Sequence, residues 1–424
     1  LNWSTLRNIT YTQVGRFLAL MLVAWSPFMG GPRTPSLLLA GMGGWLLWTR
    51  RASLIDSVAL RRWSWVFLLL WVPVTLSVLG SVDWQRSASI AAVMVLYFLA
   101  GVALVQVLRA DADRAWLAKW IAVVLVVWVA DGLIQFAVGK DLLLIPRSDD
   151  GRIVGLFATN LRLSLFLAIL LPLLLWQGLR WHMLWTLLFF CATSLVVLMG
   201  GSRSTIVWLV LAAAGIYGQM TSRYKRPVMA LLLVAITVFV SFSSVMHERF
   251  ARLTTDGGLT FEKVDFFLSH RLMLWETAAE MFKARPLTGV GIGTFADNYD
   301  KYSARPDDVF RSHGENTSER PYHAHQMYVS MAAETGALGL GGVMAIYALF
   351  MYWYFRAPRE RRAAAWPYAF SLFSATFPIN SQPVLFTHWW FPVLQLLTCA
   401  TLAALTRDGR RTGTTQASEM RAAA

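Results

Sequence analysis

The sequence predicts an all-α polytopic membrane protein with about twelve transmembrane helices and one large extracytoplasmic loop that itself contains helices. Three observations carry this. Of 424 residues, 56% are hydrophobic and only 15% charged, far from a soluble globular composition. Apolar runs recur at the ~20 residues that a helix needs to cross a bilayer. A single polar island, residues 249–325, interrupts them.

The expected spans lie near 14–30, 35–50, 63–82, 87–107, 115–138, 154–176, 180–200, 203–220, 227–247, 326–355, 363–383 and 386–406. The second is short, and the first two have weak boundaries. All should be helices, because an open strand in lipid leaves its amides unpaired. No short apolar core with a small-residue cleavage site precedes the first span, so that span is expected to act as its own targeting signal.

Orientation follows from the loops. Arg50-Arg51, Arg61-Arg62, Arg109 with Arg114 and Lys119, Arg180, Arg223 to Arg226, Arg356 to Arg362 and Arg407 to Arg411 fall on one side, which the positive-inside rule makes cytoplasmic. The alternation places the island outside. The expected organisation is therefore residues 1–248 with spans one to nine, an extracytoplasmic loop 249–325 bearing the candidate active site, residues 326–406 with the last three spans, and a cytoplasmic tail 407–424. The protein is expected in a membrane, among its lipids. The formal charge of +14 comes in short clusters between apolar runs, so it reads as topology and not as a nucleic-acid surface. Cys191 and Cys399 lie in apolar runs without CxxC or Cys/His spacing, which suggests neither a disulfide framework nor a zinc site.

Within the island, Leu272, Trp275, Ala279 and Phe282 fall close to helical spacing, predicting an amphipathic helix over 269–283 that Pro286 ends. Thr288 to Phe295, with Gly289, Gly291 and Gly293, forms a Gly-rich turn. It is superficially like a dinucleotide fingerprint, but no strand precedes it, so it reads as a turn and no cofactor is expected.

The island ends in Pro321-Tyr322-His323-Ala324-His325-Gln326 and runs straight into an apolar segment, which puts two histidines where water meets lipid. His325 is the candidate general base, since an imidazole of ordinary pKa ~6.5 accepts a hydroxyl proton at neutral pH. Nearby arginines are expected to keep it neutral by repulsion. The bland reading is a helix-start hydrogen bond. His323, two residues away, is taken as supporting, with Tyr322 and Gln326; a His-x-His metal pair lacks a third ligand. Outer-face arginines oppose the orientation rule, which singles out Arg147, Arg152, Arg203 and Arg271. Any one of them is accounted for by snorkelling to lipid phosphates. As a cluster, guanidinium groups hold a pyrophosphate bidentately and stabilise it as it departs without a metal. Glu334 and Asp131 are intramembrane acids, functional hypotheses by default unless each simply pairs with an arginine.

These residues resemble the bacterial O-antigen ligases, within the O-antigen ligase/polymerase superfamily. His325-Gln326 followed by Gly336 and Gly339 is similar to the family's histidine signature. Gly201-Ser202-Arg203-Ser204 resembles its Ser-Arg turn, and Arg271 to Trp275 with Pro286, Gly289, Gly291 and Phe295 its Arg…Trp…Pro-x-x-Gly-x-Gly region. Arg152 to Phe157 with Asn160 is a weaker match. The resemblance implies a metal- and ATP-independent glycosyltransferase facing the periplasm. It would move O-antigen polysaccharide from undecaprenyl pyrophosphate to a sugar of lipid A-core in lipopolysaccharide biosynthesis. His325 would activate the acceptor hydroxyl, and Arg203 and Arg271 would bind the donor pyrophosphate; Arg147 and Arg152 are added from position and charge. One displacement at the anomeric carbon would invert it. An O-antigen polymerase, a protein O-oligosaccharyltransferase and, from another class, a lipid or solute transporter are the alternatives. A transporter predicts charges near mid-membrane and paired broken helices.

Overall fold

The structure is a computed structural model that describes residues 10–28, 30–158, 162–201, 204–219, 258–311, 321–378, 380 and 385–406, with isolated residues between 225 and 253. Its elements are α1 (Tyr11–Ala24), α2 (Arg33–Ile55), α3 (Val58–Ser77), α4 (Trp84–Val107), α5 (Asp111–Val138), α6 (Leu163–Trp181), α7 (Met183–Met199) and α8 (Ser204–Tyr217). Within the polar island are α9 (Phe261–Phe267), α10 (Arg271–Ala284) and α11 (Phe295–Tyr302), and then come α12 (Met327–Arg356), α13 (Arg359–Thr376) and α14 (Phe391–Ala404). No strand occurs among the described residues, only one isolated bridge between Lys140 and Pro146.

A helix coincides with each expected span except 227–247, which lies outside the continuously described residues. Among the described residues, five elements are long and apolar enough to cross a membrane: α3 with the turn that follows it, α4, α5, α6 and α12; α1, α7, α8 and α14 are apolar but shorter. Helix starts follow local chemistry. Thr10 and Gln13 form a reciprocal capping box at α1, and Ser57 and Asp83 accept the amides of Leu60 and Arg86 at α3 and α4. Gly139, at φ 85°, closes α5 in the left-handed conformation.

The sixth span begins later than expected, at Leu163 and not near 154. The apolar run Ile153 to Phe157 reads as helix, but Gly155 and Ala158 sit at positive φ. The amides of Val154 and Gly155 go to the Gln135 side chain and that of Leu156 to Asp131. Side chains of α5 thus take the bonds that a helix would have used.

α6 is the bundle's centre: 83% of its most apolar stretch is buried, against 28% for α12, which leaves α12 facing outward. Close approach relies on small residues. A Cβ on Gly43 would meet the Leu99 carbonyl, and one on Gly101 would strike the Trp63 ring. The indoles of Trp63 and Trp71 on α3 donate across to the carbonyls of Phe98 and Ala91 on α4, at 3.1 and 2.9 Å.

The island has a small core of its own, including Leu274, Met281, Val290, Phe295 and Tyr299. It docks on one end of the bundle: Ile292 donates its amide to Ser77, at the end of α3, and accepts from Ser87, at the start of α4. Arg61 and Arg62 lie at the opposite end of α3, Arg109 beyond the opposite end of α4, and Arg356 at the far end of α12.

Candidate active site

α12 breaks at Gly336, whose φ of 64° and ψ of −162° only glycine adopts readily. The break frees backbone groups that the Gly-rich turn satisfies. Val290 and Gly291 donate to the carbonyls of Ala333 and Glu334, and Ala337 and Leu338 donate to those of Pro286 and Leu287. A Cβ on Gly289 would lie 2.2 Å from the Glu334 carbonyl carbon, and one on Gly336 would lie 2.3 Å from that of Leu287. The turn is therefore a backbone splice between island and bundle. The amide of Phe295 goes to Glu334 Oε1 at 3.0 Å, so this buried acid holds the start of α11.

α10 opens with Arg271, and a buried carboxylate fixes that opening. Asp265 accepts the amides of Leu272 and Met273 and pairs with His270 Nδ1 at 2.9 Å. A negative group against the first-turn amides and dipole of a helix is a strong cap. One turn on, Trp275 donates its indole N–H to the Ala324 carbonyl at 3.0 Å, tying α10 to the histidine loop. Ala324 in turn donates its amide to Ser330 Oγ.

His325 itself stands in the left-handed region at φ 50°. Such a conformation costs a non-glycine residue ~1–3 kcal/mol and survives only where its surroundings over-determine it. Here His323 Nδ1 accepts the His325 amide at 2.9 Å, and the two rings lie 4.2 Å apart. Burial, then the charges of His325 and Arg271, push the His323 pKa down to about 3. His323 is thus a neutral acceptor, chiefly because it is buried, with Arg271 the smallest of the three causes. Gln326 caps α12 through the Val329 amide and donates its own amide to the Pro378 carbonyl at 3.0 Å. Tyr322 is exposed. The structure brings together Arg271, His323 and His325.

Arg147 and Arg152 lie elsewhere, on the loop between α5 and α6. Arg147 donates to the carbonyls of Gln135 and Phe136 at the C-terminus of α5. Arg152 pairs with Asp150 at 2.8 Å and packs against Gly201. Neither bonds to the histidine loop or to α10 among the described residues. Arg203, like Ser202 and Asn160, lies outside the described residues; Arg152 lies near the end of α7, where Ile153 donates its amide to the Met199 carbonyl. Asp131 accepts the amides of Leu142 and Leu156, again holding backbone and no arginine.

Three features were not singled out from the sequence. Asp265 and Gln135 organise loops from a distance, and no short motif announces that. Arg162, at the start of α6, stacks on Trp389 at 4.0 Å. Desolvation, then Arg33 and Arg162, lower the pKa of His388 beside it. Finally, a groove of about 410 Å³ runs between α12, α13, α14 and α3, with Met327, Val343, Tyr347, Phe370, Thr376 and Leu394 among its walls. Its Met327 end is two residues from His325.

The fold and this site define an all-α membrane protein in which a strained histidine, a neutral histidine and an arginine meet beside an apolar groove. Residues 187–344 match the model of the O-antigen ligase family. The match takes in Arg203, Arg271, His323, His325 and Glu334 but stops short of Arg147 and Arg152. The resemblance read from the motifs holds for that segment and ties it to the O-antigen ligase/polymerase superfamily, whose substrates are lipid-linked polysaccharides. No curated protein matches the chain.

Proposed function

We propose that the chain is an inverting glycosyltransferase of the inner membrane, moving O-antigen polysaccharide from undecaprenyl pyrophosphate to a sugar of lipid A-core at the periplasmic face. The observation that carries this is His325, held at positive φ by His323 and by the Trp275 to Ala324 bond, beside Arg271 and within the matched segment. The acceptor hydroxyl oxygen forms the new bond to the anomeric carbon while His325 takes its proton. The bond from that carbon to the pyrophosphate oxygen breaks, and both electrons leave with the polyprenyl pyrophosphate. Arg203 and Arg271 hold the departing charge bidentately, with Arg152 in a lesser role. His323 is a positioning residue.

The apolar groove that starts at Met327 supports a polyprenyl donor, because a lipid tail lying there would leave its pyrophosphate at the level of the histidines. The basic clusters at the far end of the bundle support a cytoplasmic assignment for that end. The test is purified protein with a polyprenyl-pyrophosphate glycan and lipid A-core, alongside the species that accumulates in cells lacking the protein. Long lipid-linked glycan accumulating beside unsubstituted lipid A-core supports ligation. Accumulation of single repeat units would favour a polymerase.

A further inference from the structure

At the end of the bundle remote from the histidines, a second hollow of about 780 Å³ opens between α3 and α12. It arises from how these helices cross. Gly342 brings α12 against the backbone of Leu69, where a Cβ would lie 2.2 Å from the carbonyl oxygen. Beyond that point Ala345 and Ala348 are too small to fill the space toward Tyr352 and Trp353. Val58, Arg61, Arg62, Trp65 and Leu69 form the other wall, spaced along one face of α3.

The hollow is apolar at its depth and cationic at its mouth. Arg62 lies over the Trp353 ring at 5.1 Å, and its Nη1 is buried with no hydrogen-bond partner among the described residues. A buried donor left unmade is costly. Arg61 also closes the first turn of α3 and Arg62 opens the second, near the end where the helix dipole is positive and disfavours a cation. A topology signal needs only a solvated charge. It explains neither the buried unpaired nitrogen nor the aromatic and alanine walls.

We propose that this hollow binds an anionic phospholipid, its headgroup phosphate on Arg61 and Arg62 and its acyl chain along Leu69, Ala345 and Ala348, in the leaflet opposite the active site. A phosphate oxygen supplies the acceptor that Arg62 Nη1 lacks and offsets the repulsion at the start of α3. Trp65 and Tyr352, both exposed, stand at the depth where aromatic side chains meet headgroups.

The test is native mass spectrometry of the purified full-length protein, comparing retained phosphatidylglycerol with phosphatidylcholine of the same chains. Wild type should keep more phosphatidylglycerol, and Arg62→Gln should lose about fivefold of that retention, the share of one arginine at a charged surface. Ala348→Leu, which fills the hollow and leaves the charges alone, should lose a similar amount, so the inference does not rest on one variant folding. Arg62→Lys should recover part. Equal retention of the two lipids, or Arg62→Gln and Ala348→Leu both binding as wild type, overturns the proposal. So does displacement of the lipid by inorganic phosphate, which would mark a soluble anion as the occupant.

Discussion

The indole of Trp275 donates to the carbonyl of Ala324 at 3.0 Å, and that bond joins the helix that opens with Arg271 to the loop that carries His325. Across 49 residues of chain it ties a proposed anion ligand to a proposed base. Trp275→Phe keeps the ring's packing and removes the donor, leaving the Ala324 carbonyl unmet, at a cost of ~1–3 kcal/mol. Transfer should fall by roughly tenfold or more while membrane insertion is unchanged. A steady-state assay beside a thermal melt reads both, and unchanged turnover would remove the bond from the site.

The splice at Gly336 gives a second expectation. Gly336→Ala places a Cβ against the Leu287 carbonyl at a φ that side chains avoid, so the island should detach and both stability and activity should drop, the former by ~2 kcal/mol or more. Gly341→Ala on the same helix meets nothing within 4 Å and should be neutral. Protease susceptibility of the island distinguishes them; similar behaviour of the two variants would mean the splice contributes little.

Much of this was legible in the sequence, and the rest failed for identifiable reasons. Apolar runs such as Trp84 to Val107 announce their helices because composition alone decides them. The Gly-rich block was legible as a turn, but its partner is Gly336, some 45 residues on, and no local pattern links the two. Ile153 to Phe157 looked helical until Gln135 and Asp131 on a neighbouring helix took its amides. The four arginines were grouped by depth in the membrane. Depth does not show what each touches: Arg147 is spent on the carbonyls of α5, whereas Arg271 stands beside His323.

That contrast ranks the arginines. Arg271→Ala and Arg203→Ala should each abolish transfer in an inserted, folded protein, and Lys should restore little because it cannot bind bidentately. Arg152→Ala should be intermediate. Arg147→Ala should mainly cost the ~0.3–1 kcal/mol of a cation at a helix C-terminus. Donor binding measured across the four variants would show the order, and a working Arg271→Lys would favour a simple charge.

His323 makes the fold sensitive to acid. In the unfolded chain its imidazole takes a proton near pH ~6.5; in the fold it does so only at about 3. Between those values the unfolded state binds more protons, so stability is full above ~6.5 and declines as pH falls through the window. Melts between pH 7.5 and 5 should show a loss that His323→Gln, whose carbonyl still accepts the His325 amide, reduces. An equal loss in both would place the acid sensitivity elsewhere.

His325 carries the sharpest expectation. Because burial makes His323 a poor proton acceptor, the proposal assigns the base role to His325. General-base catalysis typically contributes ~10²–10⁴-fold, so His325→Ala should lose at least that much transfer while Arg203 and Arg271 still hold the lipid pyrophosphate. His323→Ala should be milder, since it loosens the left-handed backbone without removing the base. His325→Ala also perturbs the backbone, because alanine tolerates φ 50° no better than histidine does; His325→Gly separates backbone from chemistry. If turnover is lost equally in His325→Ala and His325→Gly with donor binding intact, the imidazole is the active part. Near-normal transfer in either variant would eliminate the base role, and lost donor binding in a folded protein would move His325 into the pyrophosphate site.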